Sequence, residues 1–304
     1  MRYNKLKTYD YVGHRKIYYT ISIVLIIIGI VSLLLFGLNR GVDFNAGTVL
    51  DISATTVMEQ AKLEEVIASR DLEADVTLGG SKDRATLRFH RELTQEEVNA
   101  VMADLEQVYG ELAKEENTVS TDLANELARK AIYGVLLSSI GIIIYVTIRF
   151  EWRYALACVI SMLHDAFLVI AFFSLFRLEV DLTFVAAVLT IIGYSINDTI
   201  VIFDRIRENM RFAKLKNKES LAKVINDSIA QTLTRSINTG LSVLFGSICL
   251  YILGSEAIRN FSLGIFIGVV FGVYSSIFIA SQLWFDLRKN SLKPRAAAPA
   301  AAKE

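Results

Sequence analysis

The chain has 304 residues, 53% of them hydrophobic, and its 32 basic side chains balance 32 acidic ones, so no bulk charge draws it to nucleic acid or an acidic partner. Its mean hydropathy of +0.42 is gathered into long blocks, which excludes an ordinary soluble domain. The two cysteines, Cys158 and Cys249, sit in apolar runs, so neither a disulfide framework nor a thiolate metal site is expected.

A basic N-terminus, residues 1–16, precedes an apolar run from Ile17 to Leu38. That run is too long for a signal-peptide core and is followed by Arg40 and Asp43 rather than a small-residue cleavage site, so it reads as a retained anchor. Residues 39–130 are more polar and carry mixed elements. Thr48–Ser53 alternates as a strand, and Met58–Arg70 has helical spacing with Leu63, Val66 and Ile67 on one face. Asp75–Leu78 and Arg84–Phe89 are short strands about the turn Gly79–Gly80. Thr94 with Glu97 forms a capping box for a helix through Tyr109, and Thr118–Ser120 is a last strand. The order βαββαβ predicts an α+β ferredoxin-like domain. His90 stands alone and reads as a surface histidine.

A bilayer core takes roughly 20 apolar residues per helix. Five further segments qualify: Ala131–Ile148, Tyr154–Phe176, Leu182–Phe203, Ser236–Leu253 and Phe261–Phe285. With no proline before Pro294, none of these helices needs a proline kink. The basic segment 204–235 reads as an interfacial amphipathic stretch, and the Ala-rich tail within 286–304 as partly disordered. Lys and Arg concentrate at the N-terminus, at 149–153, at 205–223 and at 288–295, while the opposite short loops carry only Arg177 and Arg259. The positive-inside rule then places both termini in the cytoplasm and the α+β domain outside, between the first and second of six spans.

Polar groups within these spans are candidate functional residues, because each charge at a helix centre costs about 2.5–3.5 kcal/mol. In the fourth span Thr190, Tyr194, Asn197 and Asp198 share a face. Asp198 lies about 8–9 Å of helix rise from the boundary at Phe203–Asp204, too deep for an end-cap. The fifth span opens with Arg235, and Asn238, Thr239, Ser242, Gly246 and Cys249 continue a polar, small-sided stripe. Arg235 is either a boundary anchor or a partner reaching to Asp198, and Asp198 is either a proton-binding carboxylate or a structural hydrogen-bonding group. His164 and Asp165 stand near the middle of the third span. Gly264, Gly268 and Gly272 form a small-residue ridge on the sixth, a packing feature. No nucleotide-binding loop, metal cluster or nucleophile–base pair occurs, so no cofactor and no hydrolytic chemistry are expected.

The run Val188–Asn209, with Gly193-Tyr194-Ser195-Ile196-Asn197-Asp198-Thr199 at its centre, closely resembles a signature of the SecF family of bacterial protein translocase subunits. Gly41–Thr48, His164-Asp165 and Thr234–Thr239 agree with it, so the resemblance covers roughly Tyr9 to Lys289. Two departures stand out. Ala46 occupies an expected glycine position, and Val119–Ala124 lacks an expected Val-Gly-Pro pattern. The resemblance implies a multi-pass protein of the bacterial inner membrane that pairs with SecD, within the resistance-nodulation-division superfamily. It further implies association with the SecYEG channel, the SecA ATPase and YajC, contact with the translocating polypeptide, and use of the proton-motive force for export. It assigns proton passage to Asp198 and Arg235, while the polar pattern of the spans adds Asn197 and Asp165 as candidates. A small-molecule or lipid exporter and a passive scaffold for SecD are the rival expectations.

Overall fold

The computed structural model describes residues 9–79, 82–213, 215 and 217–289. Residues 1–8 with Arg2, Lys5 and Lys7, as well as Gly80 and the tail from 290 onward, lie outside the described residues. Six helices are long and apolar enough to cross a membrane. They are α1 (Arg15–Phe36), α5 (Thr121–Arg149), α6 (Trp152–Leu175), α7 (Leu182–Phe212), α8 (Lys218–Leu253) and a composite helix over Arg259–Arg288. The composite helix comprises α9 (Arg259–Ser275), a π turn (Ser276–Ala280) and α10 (Ser281–Arg288). A π turn needs no proline, and it carries Ser276 into a hydrogen bond with Thr199 on α7 at 2.8 Å.

Between α1 and α5 lies an α/β domain. Its strands are β2 (Gly47–Ala54), β3 (Ala74–Leu78), β4 (Arg84–Phe89) and β5 (Leu112–Val119). Its helices are α3 (Gln60–Ala68) and α4 (Gln95–Tyr109), the latter opened by the Thr94–Glu97 capping box. The strands form one antiparallel sheet in the order β3-β4-β2-β5, with Leu50 opposite Leu87 and Val49 opposite Arg88. Alternation sends Leu50, Ile52, Leu87 and Phe89 into a core with Leu63, Ile67, Val98, Val101 and Leu105 from the helices. The other face is polar. Asp51, Ser53, Arg84 and Glu115 there line a cleft of about 310 Å³ with Ser255 and Ala257, which follow α8. His90 is exposed and contacts Asp75 at 3.0 Å.

Two short elements join this domain to the helices. β1 (Asn39–Arg40) pairs in parallel with β6 (Glu179–Val180), between α6 and α7. The helical turn α2 (Val42–Asn45) follows, and Asp43 accepts the Leu182 amide of α7 at 2.9 Å. Ala46 then takes φ 63° and ψ 156°, a region that only glycine enters without strain. Gly47, at φ 142°, lies against the carbonyl oxygen of Phe89, where a side chain would collide.

Within the bundle, α6, α7 and the composite helix bury half or more of their apolar stretch, whereas α1, α5 and α8 are mostly exposed. The glycine ridge of α9 lies against α7. Gly264 faces Ala187, Gly268 faces Ile191 and Gly272 faces Ser195, so two i, i+4 rows interlock. The 204–235 segment is not a separate interfacial helix. α7 continues to Phe212 and α8 begins at Lys218, so their 31 and 36 residues run straight past the roughly 30 Å hydrocarbon thickness as a helical hairpin. Arg149 to Asp204 at 3.1 Å and Asn209 to Ser228 at 2.8 Å bind its base, and the apolar row Leu221, Ile225 and Ile229 seals it.

Relieving the strain at residue 46 is expected to stabilise the chain: Ala46→Gly should gain about 1 kcal/mol. Gly268→Ala should cost about 1–3 kcal/mol by overpacking against Ile191, and Ile191→Ala in the same chain should recover part of that loss. Thermal unfolding of the purified chain reads all three.

Candidate ion-coupling site

The α7–α8 contact places Asp198 where the helices meet. The residue is 6% exposed, and its Oδ1 accepts a 2.6 Å hydrogen bond from Ser236 Oγ on α8. Its Oδ2 is buried with no hydrogen-bond partner among the described residues, and so is the hydroxyl of Tyr194, one turn earlier. Gly240, one turn beyond Ser236, leaves room for the Tyr194 ring, since a Cβ there would stand 3.4 Å from that hydroxyl.

The direct contact to Asp198 comes from Ser236, not from Arg235, which is exposed and makes no ion pair with it among the described residues, yet lies near enough to act on its charge. Successive helical residues point 100° apart. Ser236 therefore continues the inward row Ile225, Ile229, Thr232, Ser236, Gly240, while Arg235 heads the exposed row with Asn238, Thr239 and Ser242. The polar stripe of the fifth span is thus the face turned away from this chain's own bundle.

That exposed face extends onto α7 through Thr190, Gly193 and Asn197. The hydroxyls of Thr190, Thr239 and Ser242 bond back to carbonyls of their own helices at 2.8, 2.8 and 2.9 Å. Asn197 and Asn238 make no side-chain hydrogen bond among the described residues. The exposed surfaces of α1 and α5 are lined by residues such as Ile27, Leu34, Leu137 and Ile144, and α8 sets Leu241 and Phe245 beside its polar row. Apolar faces suit lipid chains; an asparagine- and arginine-bearing face does not.

Asp165 sits in a different environment. It is 1% exposed and accepts from Ser195 of α7 and Ser275 of α9, each at 2.5 Å. Nδ1 of His164 stands 2.9 Å from its other oxygen, and Nε2 of that ring stands 3.1 Å from Ser22 of α1. Ser22 contacts the Tyr274 hydroxyl, which donates to the carbonyl of Tyr18. One carboxylate thus ties α1, α6, α7 and α9 together, and both of its oxygens are occupied.

Neither Ser236 nor the serines around Asp165 was singled out from sequence. A signal was present in the four-residue recurrence of Ser228, Thr232, Ser236 and Gly240, followed by Ser247 seven residues on, on α8. No group of three or more potential metal-ligating side chains occurs among the described residues.

Residues 97–290 match the family model for the protein export membrane protein SecD/SecF C-terminal region. The chain is 40% identical to the protein translocase subunit SecF of Alicyclobacillus acidocaldarius, over 94% of each chain. It is 42% identical to the protein translocase subunit SecDF of Bacillus subtilis over 94% of its own length, and spans 39% of that longer relative. Among solved structures, SecDF of Thermus thermophilus, described as a translocon-associated membrane protein, superposes with TM-score 0.79 at 30% identity, covering 92% of this chain and 38% of that one. A SecDF structure in a super-membrane-facing form gives 0.66 at 27% identity, covering 93% and 39%. With six membrane-length apolar helices, a family model across most of the chain and a SecF relative matched over nearly all of both sequences, this multi-pass membrane protein belongs to the SecF family of protein export proteins.

Proposed function

We propose that the chain is the SecF-type half of an ion-coupled protein export device, in which Asp198 takes up and releases the coupling ion at an interface with a SecD-type partner. The observation that carries this proposal is the half-satisfied carboxylate. Asp198 is buried beside a polar face that its own chain leaves uncovered, with one oxygen bonded by Ser236 and the other free of partners among the described residues. A carboxylate that costs several kcal/mol in hydrocarbon, placed at the margin of such a face, suits exchange with a hydrated path formed against a second subunit.

The charge pattern supports cytoplasmic termini in a bacterial plasma membrane, with the α/β domain outside. The βαββαβ order and the strand order β3-β4-β2-β5 support a ferredoxin-like domain. A proton entering from outside gains about 2.3 kcal/mol per 100 mV of membrane potential, energy that can be spent on moving this domain against the exported chain. Arg235 and Asn197 lie on the uncovered face and would meet the partner there, so the arginine can approach or leave Asp198 as the helices shift. Asp165, with both oxygens occupied, serves to pass a displacement of α7 to α6, α1 and α9. The device acts with, and depends on, the export channel and its ATPase, named SecYEG and SecA in the relatives' family, with YajC as an accessory. Small-molecule export is the weaker reading, because the chain matches a protein translocase subunit SecF over 94% of both sequences.

Asp198→Asn should reduce export of a secreted reporter to the level of cells lacking the subunit while the SecD-type partner still co-purifies at the wild-type level. Export that survives this substitution would reduce Asp198 to a structural group and favour a scaffold role. Ser236→Ala, which keeps the carboxylate but removes its one partner, should give partial export with an altered pH dependence.

A further inference from the structure

Among the described residues outside the membrane-spanning segments, one ion pair joins the α/β domain to the bundle. Arg88 projects from the polar face of β4, opposite Val49, and its Nη2 donates to Oε2 of Glu179 on β6. Both side chains are mostly enclosed, at 21% and 15% exposure. Glu179 also lies against Gly41, whose missing side chain makes room for the carboxylate. The pair is stationed where β1 and β6 meet, immediately before α7, the helix that carries Asp198 about 24 Å further along its axis.

The charges around Glu179 are unequal. Asp43 of α2 and Asp181 at the start of α7 both lie close enough to act on it. These two aspartates are committed elsewhere. Asp43 accepts the Leu182 amide at 2.9 Å. Asp181 accepts the Phe184 amide at 2.6 Å, the Thr183 hydroxyl at 2.7 Å and the Asn260 amide at 3.1 Å. Both thereby suit the positive end of α7. Arg177 is turned away onto the carbonyl of Phe36, and Arg40 is exposed. Among the described residues, Arg88 is the one counter-charge that acts on Glu179.

We infer that the Arg88–Glu179 pair is a proton-responsive latch, by which the α/β domain is held down on the bundle mouth when Glu179 is protonated and is loosened when Glu179 is charged. Burial, first, pushes the Glu179 carboxyl up to about 7 from the ordinary 4.5, with Asp181 and Asp43 adding to the rise and Arg88 opposing it. A carboxyl that holds its proton more tightly in the docked arrangement than in water makes docking favourable at low pH. Docking then weakens as pH rises through about 7, because the charged form prefers the hydrated, separated arrangement. The direction is the reverse of a simple salt bridge, which acid would break. The latch lies at the opposite end of α7 from the hairpin, so its state bears on the helix that presents Asp198, yet its titration does not require Asp198 to carry an ion.

Distances between spin labels on the full chain in lipid nanodiscs test this. One label replaces Gln107 on α4 and the other Ser255 beyond α8, with Cys249→Ser and with Cys158 left in its buried place. The docking equilibrium is expected to fall about tenfold between pH 6 and pH 8. Glu179→Gln, an uncharged mimic, should stay docked at both values. Arg88→Gln should separate further than wild type at pH 8 and little at pH 6. A wild-type distribution that ignores pH, or a Glu179→Gln chain that keeps the wild-type response, would overturn the inference. Neither result bears on whether Asp198→Asn abolishes export, so the two proposals fail separately.

Discussion

A polar group inside hydrocarbon must find a partner within the protein, and that requirement organises this bundle more than any apolar contact does. Van der Waals contact alone holds apolar helix faces together, and here the interlocked rows of α7 and α9 supply it through Gly264, Gly268 and Gly272. Which helices become neighbours is further fixed by the carboxylates. Asp165 binds hydroxyls from two other helices and, through His164, a third. Both oxygens of that carboxylate are taken up within the chain, and the network links α1, α6, α7 and α9.

Asp198 has the complementary character. It belongs to the same helix as Ser195 but is bound by a single serine of α8, a spanning helix whose exposed surface carries a polar row through Arg235, Asn238, Thr239 and Ser242 beside apolar residues such as Leu241 and Phe245. The chain is thus finished on one side of α7 and unfinished on the other. An unfinished polar face in a membrane protein is stable only against water or another polar face, and the longer SecDF relatives, of which this chain spans 38–39%, contain further chain that can supply one. In the proposed function, the contrast between a saturated and a half-saturated carboxylate is what assigns ion exchange to Asp198 rather than to Asp165.

Much of this was legible in the sequence where local physics decides. Uninterrupted apolar runs gave the six helices, alternation gave Arg84–Phe89, and the Thr94–Glu97 pair placed the start of α4. The last strand was largely hidden. Leu112–Val119 is an edge strand whose six central residues are exposed, so it lacks the alternation that marks a half-buried strand. The β1–β6 pairing joins residues 140 positions apart and carries no local signal. At the site, the fourth-span face was readable, but the fifth span presented two polar rows. The charged row headed by Arg235 drew attention, whereas the quieter row through Ser236 makes the contact, since helix rotation is set by the packing of Ile225 and Ile229 far from the membrane centre. Glu179 gave no warning, because its neighbours Arg88, Asp43 and Asp181 come from three different elements.

The most direct test of the central claim observes the carboxyl of Asp198 itself. Isotope-edited infrared spectroscopy of the chain assembled with its SecD-type partner, compared with Asp198→Asn to assign the band, follows that group's protonation across the pH range in which export operates. A carboxyl band that appears and disappears with pH, while the band of Asp165 stays fixed, is the expected result. An Asp198 carboxyl locked in one protonation state throughout, under conditions where export is active, would contradict the account.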